Sequence, residues 1–208
     1  MKRLVNIKTL DRRLNYLRFI NYSNPIGVIT STVNIKKLVK IHKRKGYKLN
    51  AMVCYCILKA ARPIKELHYE IIKKKLYYFD EITVAGITLD KKKNLYSTEW
   101  EYYPTFKAFY KNYLNACDEV LKNPQGAWDT KKTKAKICTS CVPNVEMNEG
   151  VLPLGSELSF AMLFWGKCHK DGSLPISFRF HHSIMDGGHI AQFFINLQKE
   201  INKFKKRI

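Results

Sequence analysis

The sequence predicts an α/β fold, a two-layer sandwich in which helices cover a mixed β-sheet. Three observations carry that expectation. Near the C-terminal end, Ile190, Phe193, Phe194, Leu197, Ile201 and Phe204 recur at helical spacing, one apolar stripe that has to bury against a second layer. Before it, Leu158–Cys168 and Ser173–His181 read as strands joined by His169-Lys170-Asp171-Gly172, the turn chemistry of an antiparallel hairpin. The third is the stretch LNAMVCYCILKAARPIKEL from Leu49 to Leu67, apolar on most sides and therefore a buried helix. Strands interleaved with helices and hairpins build a sheet of mixed strand direction under a helical layer.

The remaining elements follow in chain order. Ile35–Lys45 is a short basic helix carrying Leu38, Val39 and Ile41 and stopped by Gly46. Asn50 is the predicted N-cap of the buried helix, and Pro63 ends or kinks it. Leu76–Phe79 and Ile82–Ala85 read as β. Phe106–Leu121 returns to helical spacing through Phe106, Phe109, Tyr110, Tyr113 and Leu114. Lys136–Val142 is the first of the three closing strands. No repeat, Pro/Gly-rich linker or low-complexity tract divides the 208 residues, so residues 1–208 are expected to form a single domain.

Charge is the unusual bulk property: 37 Lys+Arg against 17 Asp+Glu give a net +20. Such an excess suits nucleic acid, an anionic membrane or a phosphate-bearing small molecule. The lysines are spread along the whole chain, densest at Lys73–Lys75, Lys91–Lys93 and Lys203–Arg207, and read mainly as solvated faces and loops. No helix-turn-helix, zinc-finger or RNP-like pattern accompanies them, and the longest clearly apolar run, Phe160–Trp165, is far short of a membrane span. Neither nucleic acid nor membrane is an expected partner. The first residues carry charges every few positions with no apolar leader core, so the expected location is cytoplasmic. The six cysteines are then expected to be reduced thiols. Cys138 and Cys141 have CxxC spacing, but no second such pair or well-spaced His pair completes a zinc site.

Chemistry concentrates in Phe178–Phe194, FRFHHSIMDGGHIAQFF. Along the strand, Leu174, Ile176, Phe178 and Phe180 share one face and Pro175, Ser177, Arg179 and His181 the other. His182 then points away from His181, so the two imidazoles do not serve one site. Neither pairs with His189 at the i, i+4 spacing of a helical metal motif, and no metal is expected. A strand-end histidine capped by Asp186 could be a satisfied buried group. A general base, by contrast, needs an imidazole of fixed tautomer, a carboxylate that fixes its loop and a glycine that permits a sharp turn, and the stretch supplies all three.

His181-His182-Ser183-Ile184-Met185-Asp186-Gly187 matches the HHxxxDG signature of CoA-dependent acyltransferases, and the chain resembles the chloramphenicol acetyltransferases in particular. The likeness runs in order through NIKTLDRRLNY, ITSTVNIKKLVK, GYKLNAMVCYCILKAAR, NPQG and CTSCVPNV to GHIAQFFINLQKEI. It implies the CoA-dependent acyltransferase fold. It also implies that His182 is the base, drawing the proton from an acceptor hydroxyl that attacks the thioester of acetyl-CoA directly, with no acyl-enzyme. By the same resemblance Asp186 holds the histidine loop through a buried, fork-like ion pair with Arg12, or with Arg13 as the fallback. Such a pair is rigid, and breaking one costs on the order of 3–5 kcal/mol. Ser140, in the pattern Ser140-Cys141-Val142-Pro143-Asn144-Val145, would donate to the oxyanion. Lys48 and Lys167 would lie near the nucleotide end of acetyl-CoA, the co-substrate. Homotrimers with active sites between subunits are implied as well, in keeping with a sheet edge and apolar face that would otherwise be exposed.

The acceptor pocket departs from the family pattern. Where antibiotic-modifying members carry adjacent aromatics this chain has Arg18-Phe19. A pocket Phe is replaced by Asn123, a Trp by Asn144, and a Thr near the oxyanion by Phe164. An arginine in that wall favours a more polar or anionic acceptor over a nitrophenyl ring. The expected partner is thus a small-molecule hydroxyl acceptor. Two other readings are weighed against this one. The catalytic domain of a dihydrolipoyl acyltransferase would carry Asp-His-Arg where this chain has His181-His182-Ser183. A basic binding protein on an acyltransferase fold draws its support from the +20 charge alone.

Overall fold

The computed structural model describes residues 1–124, 133–150, 155 and 158–204. Gln125 and Gly126 of the NPQG landmark and Lys205, Lys206 and Arg207 of the basic tail lie outside the described residues. The elements are β1 (Lys2–Leu4), α1 (Arg13–Phe19), β2 (Ile26–Asn34), α2 (Lys36–Lys45), α3 (Leu49–Ala61), β3 (Tyr69–Ile72), β4 (Lys75–Phe79), β5 (Ile82–Leu89), β6 (Leu95–Trp100), α4 (Phe106–Lys122), β7 (Ala135–Cys141), β8 (Ala161–Trp165), β9 (Ser173–His181) and α5 (Gly187–Lys203).

Two sheets form among the described residues: a small one ordered β1-β4-β3 and a six-stranded one ordered β2-β9-β8-β7-β5-β6. In the large sheet β2, β9 and β8 run antiparallel, as do β5 and β6, while β7 is parallel to both β8 and β5. The expected mixed sheet under helices is what forms.

One face of this sheet is the core. Val84, Ile137, Leu163, Ile176, Phe178 and Phe180 alternate inward and are buried, joined by the apolar stripes of α3, α4 and α5. α3 is buried nearly all round, from Ala51 to Ala61, as its continuous apolar character requires. The α5 stripe packs on the sheet, with Phe193 edge-on to Phe178 at 4.9 Å. It also packs on α3, where Asn196 donates to the Ala60 carbonyl. Among the described residues no helix covers the other face. Thr30, Ser177, Phe164 and Ser140 stand in one cross-strand row there, beside a small cluster of Ala85, Cys138 and Met162.

Several boundaries differ from the sequence expectation, each for a local reason. α2 ends as expected at Gly46, which takes the left-handed conformation (φ 72) without strain because it has no Cβ. The N-cap of α3 is Lys48, not Asn50. The Asn50 side chain is drawn instead to the Tyr113 hydroxyl, and no side chain caps the helix. The strand expected over Leu158–Cys168 shortens to Ala161–Trp165. Upstream, the Ser159 hydroxyl bonds both backbone groups of Ile71, and the Leu158 carbonyl accepts from Arg179, so side-chain bonds replace the ladder. Periodicity does not announce β1, α1, β3 or β6, which are short or partly exposed pieces with mixed patterns.

Candidate active site

β9 ends at His181, and the two adjacent imidazoles meet different fates there. His181 is buried, and its Nδ1 lies 2.7 Å from the Ser183 hydroxyl. Burial, then the charges of Arg179 and His182, push it down to about 4, so it is neutral at ordinary pH. His182 is only partly buried. Its ring lies flat on Phe19, centroids 4.0 Å apart and planes 9° apart, and Phe180 approaches edge-on at 5.8 Å. Its backbone N–H donates to the Pro25 carbonyl at 2.7 Å. The end of α1 and the connection to β2 therefore grip this residue by ring and by backbone. Its Nδ1 is buried with no hydrogen-bond partner among the described residues.

The turn after His182 is tied down by Asp186. As the N-cap of α5, Asp186 accepts from the Gly188 N–H at 3.0 Å. The same oxygen, Oδ1, lies 2.8 Å from His189 Nδ1, while Oδ2 lies 2.7 Å from Arg12 Nη1. Burial alone would raise this carboxyl, but the hydrogen bonds from Arg12 and His189 outweigh it and hold it at about 2. The partner is Arg12 and not Arg13. The pair is not the buried fork anticipated from the resemblance: one guanidinium nitrogen engages one oxygen, because Gly188 and His189 occupy the other. The Asp186 side chain also keeps about 33% exposure. Sequence reasoning missed the next link, His189 Nε2 facing Glu66 Oε1 at 3.5 Å. Its only sequence signal is a histidine at the third helical position of α5, where a capping box closes on Asp186.

Ser140 sits elsewhere. It lines a cavity of about 750 Å³ at the ends of β7 and β8, walled by α2, the start of α3 and the β8–β9 connection. Lys167 lines the same cavity. Lys48 is exposed just outside it, and Phe164, Arg18 and Phe19 are not among its walls. Arg18 lies over Phe19 at 5.7 Å, at the His182 end. Phe164 is the direct neighbour of Ser140 in the cross-strand row, and its ring, like the Met147 side chain, approaches Gly150 closely. Cys141 also lines the cavity, and burial pushes its thiol up to about 11. Cys54, behind it, is pushed up to about 12 and is held protonated. All six cysteines are free.

The register separates the two expected catalytic groups. Ser140 pairs with Phe164, and Phe164 with Ser177. From Ser177 the chain runs on to the far end of β9 before reaching His182. That is roughly 16 Å along the strand and about 10 Å across it at ordinary sheet spacings. Within one chain the imidazole and the hydroxyl cannot touch a common reacting atom.

The model of the chloramphenicol acetyltransferase family matches residues 2–198 of this chain. A chloramphenicol acetyltransferase from Clostridium perfringens is 26% identical over 213 residues, spanning 97% of this chain and 95% of that protein. The structure of a chloramphenicol acetyltransferase superposes with a TM-score of 0.81 at 22% identity, covering 97% of this chain and all of the other. A probable dihydrolipoamide acetyltransferase from Listeria monocytogenes shares the fold at a TM-score of 0.67 and 12% identity, over 96% and 95% of the two chains.

Proposed function

Starting from the fact that the chain belongs to the chloramphenicol acetyltransferase family and is an acyltransferase, we propose that it is an acetyl-CoA-dependent O-acetyltransferase with His182 as general base. The observation that carries the proposal is the mounting of His182. Its ring is clamped on Phe19, its backbone is bonded to Pro25, and its loop is pinned by Asp186 to Arg12. An imidazole held at a set angle but left partly open is suited to proton transfer.

Acetyl-CoA supplies an activated thioester. His182 takes the proton of an acceptor hydroxyl as its oxygen attacks that thioester. Ser140 donates to the negative charge that develops on the carbonyl oxygen. His182 then returns its proton to the departing sulfur. No residue of the chain is acylated.

Because His182 and Ser140 lie at opposite ends of the sheet, each site joins His182 of one copy to the Ser140 cavity of another, in a homotrimer. Apolar side chains left open support such an assembly: Val28 and Ile87 on the helix-free face, with Leu95 on the edge strand β6 at 70% exposure. Among the described residues no helix is long and apolar enough to cross a membrane, and we place the enzyme in the cytoplasm.

The acceptor is a small hydroxyl compound. Arg18 beside the Phe19–His182 stack favours one more polar than chloramphenicol. Chloramphenicol resistance would follow only if that drug is also turned over. The test is thiol release from acetyl-CoA by the purified protein with chloramphenicol and a panel of hydroxyl acceptors. Acceptor-dependent release, lost in His182→Ala, is expected. Release that persists in that variant would remove the base assignment.

A further inference from the structure

Arg12 is fastened at one point. Its Nη1 reaches Asp186 Oδ2 at 2.7 Å, while Nε and Nη2 are buried and meet no hydrogen-bond partner among the described residues. Beside it lies a void of about 10 Å³ whose walls include Arg12, Glu66 and Ser183. That is room for about one water molecule, and a buried water needs about two to four polar partners. Ser183 follows His182 directly, so the void backs the histidine loop. The Ser183 hydroxyl is taken by His181 at 2.7 Å. Of the two carboxylates on the walls, Asp11 is exposed and held by Lys65 at 2.7 Å, which leaves Glu66 as the charged acceptor.

Glu66 is placed there by an anchored turn. It stands in the short 3-10 helix Lys65–His68, between α3 and β3. At one end of this turn Lys65 ties back to Asp11, the residue before Arg12. At the other end His68 is buried, with Nδ1 2.9 Å from the Phe79 carbonyl and Nε2 3.0 Å from the Arg62 carbonyl. The Glu66 side chain is only 18% exposed, and its Oε1 faces His189 Nε2 at 3.5 Å. The other nitrogen of that ring, Nδ1, lies 2.8 Å from Asp186 Oδ1. Glu66 therefore faces one of the two side chains that hold Asp186 and shares a void with the other.

We infer that Glu66 is a positioning residue for His182: it holds His189 directly and Arg12 through one water bound in the void, closing a ring of Glu66, His189, Asp186, Arg12 and water. The inference rests on the general-base reading above. A carboxylate only accepts and a guanidinium only donates, so a water, which does both, can join Glu66 to Nε or Nη2 of Arg12. A guanidinium bonded through one nitrogen can pivot about that contact. A second anchor fixes its plane, and with it the Asp186 carboxylate and the turn that leads back to His182. Small displacements matter there, because misplacing a reacting group by about 1 Å can cost on the order of 10²-fold in rate.

The test compares the full wild-type chain with Glu66→Ala and Glu66→Gln by thiol release, by the NMR shifts of the His182 ring protons, and by a crystal structure fine enough to show ordered water. Those protons gauge the pose of the base, because the ring lies flat on Phe19. In the wild-type crystal one water should lie within hydrogen-bond distance of both Arg12 and Glu66. Glu66→Ala should lower kcat roughly 10- to 100-fold with KM for acetyl-CoA nearly unchanged, and should move the His182 shifts. Glu66→Gln, which still accepts from a water, should recover most of both. A void without the bridging water overturns the ring. Unchanged kcat or unchanged His182 shifts in Glu66→Ala, with only the melting temperature lowered, overturns the positioning role. A wild-type chain that transfers no acetyl group to any acceptor overturns the acyl-transfer reading instead. The water and the His182 shifts then decide for the ring if both behave as expected, and against it if either does not.

Discussion

The two ends of the large sheet are built on opposite plans. At the His182 end the side chains pack closely. The imidazole lies on Phe19, Asp186 is shared by Arg12, His189 and the α5 N-terminus, and the void beside Arg12 and Ser183 is only about 10 Å³. At the Ser140 end the strands open into about 750 Å³ rimmed by lysines. One end is a closely packed mount for an imidazole and the other is an open cavity. Fixing a reacting group and admitting a large co-substrate make contrary demands on packing, and the proposed mechanism assigns the two demands to these two places. In the proposed mechanism a site is completed where two copies meet.

Changes at the two ends should differ in kind. The largest effect should come from the base: His182→Ala should lower kcat/KM about 10⁴-fold in a thiol-release assay, the upper range for general base catalysis, with little change in the melting temperature. A small loss would mean that the rigid end holds no catalyst. Ser140→Ala, at the open end, should lower kcat about 10²- to 10³-fold with KM for acetyl-CoA nearly unchanged, the signature of a donor that acts only in the transition state. A rise in KM alone would make Ser140 a binding group.

The rigid end should also be the acid-sensitive one. His181 is held neutral by burial, its value lowered from 6.5 to about 4. The unfolded chain then takes up the proton first, so stability is full above pH 6.5 and falls as the pH drops towards 4, by about 3 kcal/mol. Urea unfolding at pH 7 and pH 4.5 should show the drop in the wild-type chain and a weaker one in His181→Asn. Smaller still is the share of Asp186. With its carboxyl held at about 2, its stabilisation is present above about pH 4 and is lost as the pH falls through 2. Asp186→Asn should cost about 1 kcal/mol at neutral pH once exposure of the pair is allowed for. A loss as large as that of a fully buried pair would show that water is better excluded there than the exposed carboxylate indicates.

The two ends were also unequally legible in the sequence. The rigid end lies mostly in one contiguous stretch, where strand alternation, the His-His pair and the Asp-Gly turn each leave a local pattern. Arg12 came from the resemblance, and geometry then chose it over Arg13. Glu66 and Phe19 leave no such pattern, because they reach His189 and His182 from elements remote in the chain. The open end was read least. Lys36, Lys43 and Lys170 line one cavity because Gly172 sets the β8–β9 hairpin against Lys36 of α2, and no spacing rule links a helix to a hairpin so far downstream. Among the fold elements, long periodic ones such as α4, α5 and β9 were plain. β6 was hidden, because an exposed edge strand has little of its pattern imposed by the core.

The most direct measurement mixes the two ends. His182→Ala and Ser140→Ala proteins, each nearly inactive alone, are combined in equal amounts, dissociated and reassembled, and assayed for thiol release. If every site pairs the base of one subunit with the hydroxyl of its neighbour, random reassembly should restore about a quarter of the wild-type sites in a closed ring. Activity that stays at the level of the separate variants, although subunit exchange is verified, would contradict the shared site.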